Sequence, residues 1–399
     1  GCHWQDVRER NENLGAAIVG AMRKIELANP DTLYGVLSMF SAQKWTDKKN
    51  LSDGKIRDLI EHLSTRKLGN KNYPADLMGD AYEILLKKFA DDSKAQAGEF
   101  YTPRSVVNLL VRILDPQPGE TVYDPACGSG GMLIEAIQHM NHSSLCCGTI
   151  FGQEKNVVNS AIAKMNLFLH GASDFNIMQG DTLRSPKILQ NGEIAKFDCV
   201  IANPPFSLEK WGSTEWGSDK YGRNIWGTPS DSCGDYAWIQ HMVKSMAPGN
   251  GRMAVVMPQG VLFRGNEEGR IREKLVKSDL VEAIVTLGDK LFYGTGLSPC
   301  FMILRRLKPA AHSARVLMID GTKILTAKRA QNILSPEDVD RLYELYCKYE
   351  DIEEKKKFLD YVSDFEYNKL GIKEPDNVIF LYAPFDMITK LREERLDND

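Results

Sequence analysis

Between about Val106 and Ile319, short apolar runs alternate with segments whose apolar residues recur at helical spacing. This alternation predicts βαβ units around a mainly parallel sheet, because parallel strands are joined by helical crossovers. Strands are expected at Thr121–Asp124, Cys147–Gln153, Asn176–Gln179, Phe197–Ala202, Gly251–Met257, Leu280–Leu287, Cys300–Arg305 and Arg315–Ile319. Helices are expected at Ser105–Leu114, Gly131–Met140, Val157–His170, Tyr236–Met246 and Glu267–Val276.

Residues 1 to about 97 carry no convincing strand pattern. Within Asp76–Phe89, the residues Met78, Tyr82, Leu85 and Phe89 share one helical face, which predicts a helical N-terminal domain with that stripe in its core. The polar connector Asp91-Asp92-Ser93-Lys94 ends it. The tail turns helical again: Ser335 can cap a helix, Pro336 suits its first position, and Glu337 and Asp338 supply early acids before Val339, Leu342, Tyr343 and Tyr346. The charged run from Glu353 to Lys357 reads as a solvated helix face. The expected organisation is a helical domain at 1–97, an α/β domain at 98–325 and a partly helical, partner-contacting tail at 326–399.

With 399 residues and 43% hydrophobic content, the chain can support a sizeable core in two or three domains. Its net charge of −4 is mildly acidic, whereas a protein that grips DNA alone shows a basic excess. Any action on DNA therefore calls for a partner subunit or a local basic face. The eight cysteines form no C-x-x-C pair and have no His at metal-ligand spacing, so reduced thiols in a cytosolic protein and no metal site are expected. No signal peptide or membrane span is legible, and the opening Gly1 suggests truncation, processing or a cloning remnant.

The chemistry concentrates first in Ala202-Asn203-Pro204-Pro205-Phe206, directly after an apolar strand. Two prolines fix φ and remove N–H donors, and they force Asn203 and Pro204 into extended geometry. The result is a stiff shelf at the carboxyl end of a strand, where open α/β sheets bind ligands. The Asn203 side-chain oxygen and the Pro204 carbonyl can accept both N–H bonds of a nucleobase amine, freeing its lone pair, while Phe206 stacks on the base. An ordinary Pro-Pro turn is the plain alternative.

Further signals stand at the ends of three other strands. Asp124-Pro125-Ala126-Cys127-Gly128-Ser129-Gly130-Gly131 follows one strand and opens a helix, offering close backbone approach and free N–H groups to a carboxylate. Asp124 is placed for a cationic amino group, Glu154 for ribose hydroxyls and Asp181 for an adenine amino group. Each acid alone is more often an N-cap or turn residue. Together they describe an S-adenosylmethionine pocket serving a target base.

The chain here resembles the modification (M) subunits of type I restriction–modification systems, which are N6-adenine DNA methyltransferases. The likeness spans roughly residues 76–320. Gly98-Glu99-Phe100-Tyr101-Thr102-Pro103-Arg104 is similar to the family's cofactor-capping segment. Asp124 through Gly131 is similar to its cofactor loop, Glu154 to its ribose-binding acid, and Asn203, Pro204, Pro205 and Phe206 to its catalytic turn. Asp235-Tyr236-Ala237-Trp238, Met257 through Gly265 and Leu291 through Gly296 match further family segments, whereas the sequence beyond about 325 matches loosely and the N-terminal helical part is short.

The resemblance implies a Rossmann-like S-adenosylmethionine-dependent methyltransferase fold and transfer of the methyl group to a flipped-out adenine. Cofactor contacts are implied for Glu99, Phe100, Tyr101, Thr102, Pro103, Arg104, Asp124, Ala126, Gly128, Ser129, Gly130, Glu154 and Asp181. It also implies double-stranded DNA as substrate, specificity (S) and restriction (R) subunits as partners with two M per S, and a prokaryotic cytoplasmic location. The alternatives are an amino methyltransferase acting on RNA or protein glutamine, and a non-catalytic assembly subunit. No G-x-x-x-x-G-K-[ST] motif assigns restriction or translocation to this chain.

Residues 207–232 carry Trp211, Trp216, Tyr221 and Trp226 among glycines and polar residues. Contact with the target base or the DNA backbone is expected of this loop, with packing onto the helical domain as the alternative. Arg223 and Arg264 are candidates for phosphate, although lone arginines commonly serve in salt bridges. His170, ending a helix, is expected to be a cap or core residue.

Overall fold

The computed structural model describes residues 3–349 apart from 31, 39–44, 68–71, 74–76, 78, 80, 83, 86–101, 142–147, 173, 293–297 and 329–330. The expected helix within Asp76–Phe89 falls largely outside the described residues, and the charged run from Glu353 to Lys357 entirely so.

In chain order the elements are α1 (Trp4–Arg8), α2 (Leu14–Ala28), α3 (Asp53–Ser64) and α4 (Arg104–Leu114). There follow β1 (Val122–Asp124), α5 (Gly131–Asn141), β2 (Ile150–Glu154), α6 (Val157–Leu169) and β3 (Phe175–Gln179). Next come β4 (Cys199–Ala202), α7 (Ser213–Trp216), α8 (Asp235–Ser245), β5 (Arg252–Pro258) and α9 (Asn266–Lys277). The series closes with β6 (Val281–Leu287), β7 (Pro299–Arg305), β8 (Leu317–Gly321) and α10 (Pro336–Lys348). The chain packs as two units, Gly1–Tyr101 with Gln117–Gly192, and Thr102–Pro116 with Glu193–Asp399.

In the first unit, Val7, Leu14, Ile56 and Ile60 from α1, α2 and α3 form a small buried cluster. Ser52 caps α3 by accepting from the Lys55 N–H. The strands β1, β2 and β3 run parallel, with Val122 opposite Ile150 and Ile150 opposite Phe175. Gly152 in β2 is enclosed: a Cβ there would lie 2.6 Å from Ile177 Cδ1, 3.0 Å from Cys127 Sγ and 3.1 Å from Leu133 Cδ1. Those neighbours are themselves buried. Gly152→Ala is therefore expected to destabilise the fold by about 1–3 kcal/mol through overpacking. The loss should appear as a lower urea midpoint, and an unchanged midpoint would show that the strand can shift to make room.

In the second unit, β4 and β5 pair in parallel, as do β6 and β8, while β7 runs antiparallel between β5 and β6. Every residue of β4 and β5 is buried, which is why these strands read as nearly continuous apolar runs rather than alternating ones. Helix α4 buries Val106, Val107, Leu109, Leu110, Ile113 and Leu114, and ends at Asp115 in the left-handed region (φ 48°). Arg252 of β5 clasps that end by donating to the Leu114 and Asp115 carbonyls at 2.5 and 2.7 Å. The N-cap read at Ser335 is present, with Asp338 completing a capping box.

Candidate active site

In the first unit, β1 delivers Asp124 to the start of the glycine loop. Its carboxylate accepts from the Ala126 N–H at 2.9 Å and is only 2% exposed. Burial pushes this carboxyl up to about 8, the Ala126 N–H opposes the shift and the nearby Glu154 charge reinforces it. The loop is held from several sides. Thr182 Oγ1 donates to the Pro125 carbonyl at 2.6 Å, Cys127 N–H to the Gln153 carbonyl at 3.1 Å, and Asn166 Nδ2 to the Ser129 carbonyl at 3.1 Å.

Glu154 ends β2 and takes part in the same construction. One of its oxygens accepts from Gly128 N–H at 3.0 Å and the other from Asn156 N–H at 2.7 Å. Burial raises its carboxyl, while those N–H groups pull it down. Gln153, fully buried, donates to the Gly180 and Ser185 carbonyls and accepts from Lys187 N–H, fixing the loop that carries Asp181. Asp181 pairs with Lys155 at 2.9 Å and accepts from Arg184 N–H. The structure thus brings Asp124, Ala126, Gly128, Ser129, Gly130 and Glu154 together around one loop.

This loop suits S-adenosylmethionine. A Cβ at Gly128 (φ +53°) or Gly131 would meet no atom within 4 Å, so open space lies over the loop backbone and the start of α5. The first N–H groups of that helix have no intrahelical acceptor and so suit a carboxylate, and the buried Asp124 suits an ammonium.

In the second unit, β4 leads into the Asn203–Phe206 turn. Asn203 Nδ2 donates to Thr102 Oγ1 at 2.9 Å. Its Oδ1 is buried and has no hydrogen-bond partner among the described residues. A buried orphan acceptor costs about 1–3 kcal/mol, so the amide is held ready for a donor that arrives from outside. Phe206 is half-buried and rests against Phe292, with ring centroids 6.4 Å apart and planes tilted by 57°. Thr102, Pro103 and Arg104 lead into α4, whereas Glu99, Phe100 and Tyr101 lie outside the described residues.

The tryptophans of residues 207–232 are packed within the protein. Trp211 and Trp216 are each 2% exposed and Trp226 is 8% exposed. Trp211 and Trp216 pack edge to face at 5.4 Å, and Trp211 Nε1 donates to the Ser230 carbonyl. The Arg223 guanidinium lies 4.6 Å from the Trp216 ring centroid and is bound by Asp219 at 2.7 Å, so it serves the loop and not a phosphate. Trp226 N–H donates to Gln240 of α8, and Lys274 of α9 donates to the Trp226 carbonyl. Arg264 likewise pairs with Asp235 and Glu268. His170 caps α6, buried, with Nδ1 2.9 Å from the Asn166 carbonyl, as expected. The Thr102 and Asn166 anchors escaped sequence reading; Thr102 was legible only as part of the capping segment.

The family described as N-6 DNA methylase matches residues 74–373. The chain is 36% identical over 289 residues to the type I restriction enzyme MjaVII methylase subunit of Methanocaldococcus jannaschii, covering 70% of this chain. It is 31% identical over 421 residues to the MjaVIII methylase subunit of the same organism, covering 99% of this chain. It spans 49% of the length of the first relative and 69% of the second. Among solved structures, the methyltransferase subunit of a type I restriction–modification system from Streptococcus thermophilus superposes with TM-score 0.73 at 28% identity, covering 88% of this chain and 75% of that one. A protein from Listeria monocytogenes named as a class I S-adenosylmethionine-dependent methyltransferase shares the fold, with TM-score 0.57 at 15% identity over 87% of this chain and 98% of that one. With its α/β, Rossmann-like methyltransferase fold, the chain belongs to the N-6 DNA methylase family, to which type I restriction enzyme methylase subunits are akin.

Proposed function

We propose that this chain is the modification subunit of a type I restriction–modification complex, methylating adenine N6 in double-stranded DNA with S-adenosylmethionine as donor. The observation that carries the proposal is the Asn203 amide, its nitrogen tied to Thr102 and its buried oxygen without a partner among the described residues. An exocyclic amine is a poor nucleophile because its lone pair is delocalised into the ring. Asn203 Oδ1 and the Pro204 carbonyl would accept its two N–H bonds and draw the nitrogen toward tetrahedral geometry. Phe206 would stack on the flipped base, a contact worth about 1–3 kcal/mol. The buried Asp124 would take the ammonium of the donor's methionine part, Glu154 its ribose and Asp181 its adenine.

When bound, S-adenosylmethionine supplies an electrophilic methyl group on a positively charged sulfur. Asn203 cannot serve as a base, so the surplus proton leaves N6 to water after transfer. Catalysis then rests on positioning and on polarisation of the lone pair. Residues 98–325 form the methyltransferase domain in this proposal, while 1–97 and 326–399 meet the specificity subunit, with two M per S and a restriction subunit completing the complex. A net charge of −4 agrees with a chain that relies on a partner for its hold on DNA. No helix among the described residues is long and apolar enough to cross a membrane.

The test is a methyl-transfer assay on duplex DNA with and without the co-expressed specificity subunit, read as N6-methyladenine by mass spectrometry. Methylation that needs the partner is the expected result. Binding of S-adenosylmethionine without methylation in either condition would leave an assembly subunit, and transfer to RNA or protein instead would redirect the substrate.

A further inference from the structure

Immediately after the Asn203–Phe206 turn the backbone does something costly. Ser207 adopts φ 49°, a left-handed conformation that a residue with a Cβ takes only when its surroundings hold it there. The restraint is visible: Ser207 N–H donates to Asp235 Oδ1 at 2.7 Å. Asp235 begins α8 and is 0% exposed, so its charge must be matched within the protein. Arg264 Nη2 meets the other oxygen, Oδ2, at 2.5 Å, and the Cys233 thiol donates to that oxygen at 3.3 Å. Arg264 Nε in turn meets Glu268, itself 6% exposed, at 2.6 Å.

The arginine is itself held. Its guanidinium lies over Gly260, where a Cβ would stand 2.6 Å from Nη1. Its carbonyl accepts from Arg272 at 2.8 Å. Segments Asp235–Trp238 and Met257–Gly265 meet in one ion-pair chain, with Asp235 and Glu268 buried and the Arg264 side chain 30% exposed, and that chain reaches the backbone beside Phe206.

We propose that Asp235, Arg264 and Glu268 are positioning residues that fix the Phe206 ring through the Ser207 N–H, so that the flipped base is stacked in the orientation that transfer requires. The inference rests on the function proposed above. A buried ion pair is weak evidence for stability by itself, because desolvation offsets much of its attraction. Its attachment to a strained residue next to the stacking ring gives it a more specific role.

The test is a double-mutant cycle in the complete complex with the specificity subunit, combining Arg264→Gln with Phe206→Ala. Arg264→Gln alone is expected to lower kcat about tenfold to a hundredfold, the scale of a small misplacement of substrate, with S-adenosylmethionine affinity unchanged. In the Phe206→Ala background the same change should cost almost nothing more, because there is no ring left to position. Multiplicative losses in the double variant, or an unchanged kcat in Arg264→Gln, would overturn the positioning role. Should Arg264→Gln fail to fold, Arg264→Lys keeps the charge without the two-armed grip and is cycled in its place. A wild-type complex that makes no N6-methyladenine removes the function, and the positioning role with it.

Discussion

Replacing Asn203 with Ala is expected to lower methyl transfer at least about a hundredfold, the scale seen when a preorganised polar group at a reacting centre is removed. The amide is poised in a particular way. Thr102 takes up its Nδ2, which leaves Oδ1 as the atom offered to a ligand, and that oxygen is buried without a partner among the described residues. The variant should bind S-adenosylmethionine as well as the wild type, because Asp124, Glu154 and the glycine loop are untouched. Its stability should change little, since loss of the bond to Thr102 is offset by removal of a buried orphan acceptor. Single-turnover methylation, calorimetry with the cofactor and a urea titration separate these statements. Wild-type turnover in Asn203→Ala would sink the assignment, and loss of cofactor binding in proportion to turnover would mark a general defect.

The second large effect concerns pH. With its carboxyl pushed up to about 8 by burial, Asp124 is mostly neutral in the ligand-free protein below that pH. A cationic ammonium favours the carboxylate, so binding must release a proton there. S-adenosylmethionine affinity is therefore expected to rise about tenfold per pH unit between about 6 and 7, and to level off toward 8 as the carboxyl and the donor's own ammonium titrate. Calorimetry in two buffers of different ionisation heat would count that proton. Asp124→Asn should bind weakly, with no such slope, while its amide oxygen still accepts from Ala126 N–H. Flat, proton-neutral binding by the wild type would remove Asp124 from the ammonium site. Folding carries the matching sign: because the folded-state value lies above the ordinary carboxylate range, the protonated form favours the fold. Asp124's contribution to ligand-free stability is full in acid and is lost as pH rises through about 8.

Much of this was legible in the chain because the relevant physics is local. The doubly covered strands β4 and β5 are apolar at nearly every position, the glycine loop sits between a strand and a helix, and Asn-Pro-Pro-Phe restricts its own backbone. The packing of the tryptophan loop was not legible in the same way. A polar, glycine-rich stretch gave no sign that Asp219 and Arg223 would pair over Trp216, or that Gln240 of α8 would anchor Trp226. Such partners are set by tertiary packing, not by spacing. For the same reason Thr102 could be placed in a segment, but its bond to an amide 101 residues away could not be foreseen.

The packing of α4 has a consequence for the order in which the protein can mature. Thr102–Pro116 belongs with Glu193–Asp399, although Gln117–Gly192 of the other unit intervenes in the chain. During synthesis the apolar face of α4, including Leu109, Leu110 and Ile113, must wait for β5 and Arg252 to leave the ribosome before it can be covered as it is in the finished fold. A nascent chain halted near residue 192 would carry that face uncovered, a ready handle for chaperones and a liability for any fragment cut at the unit boundary.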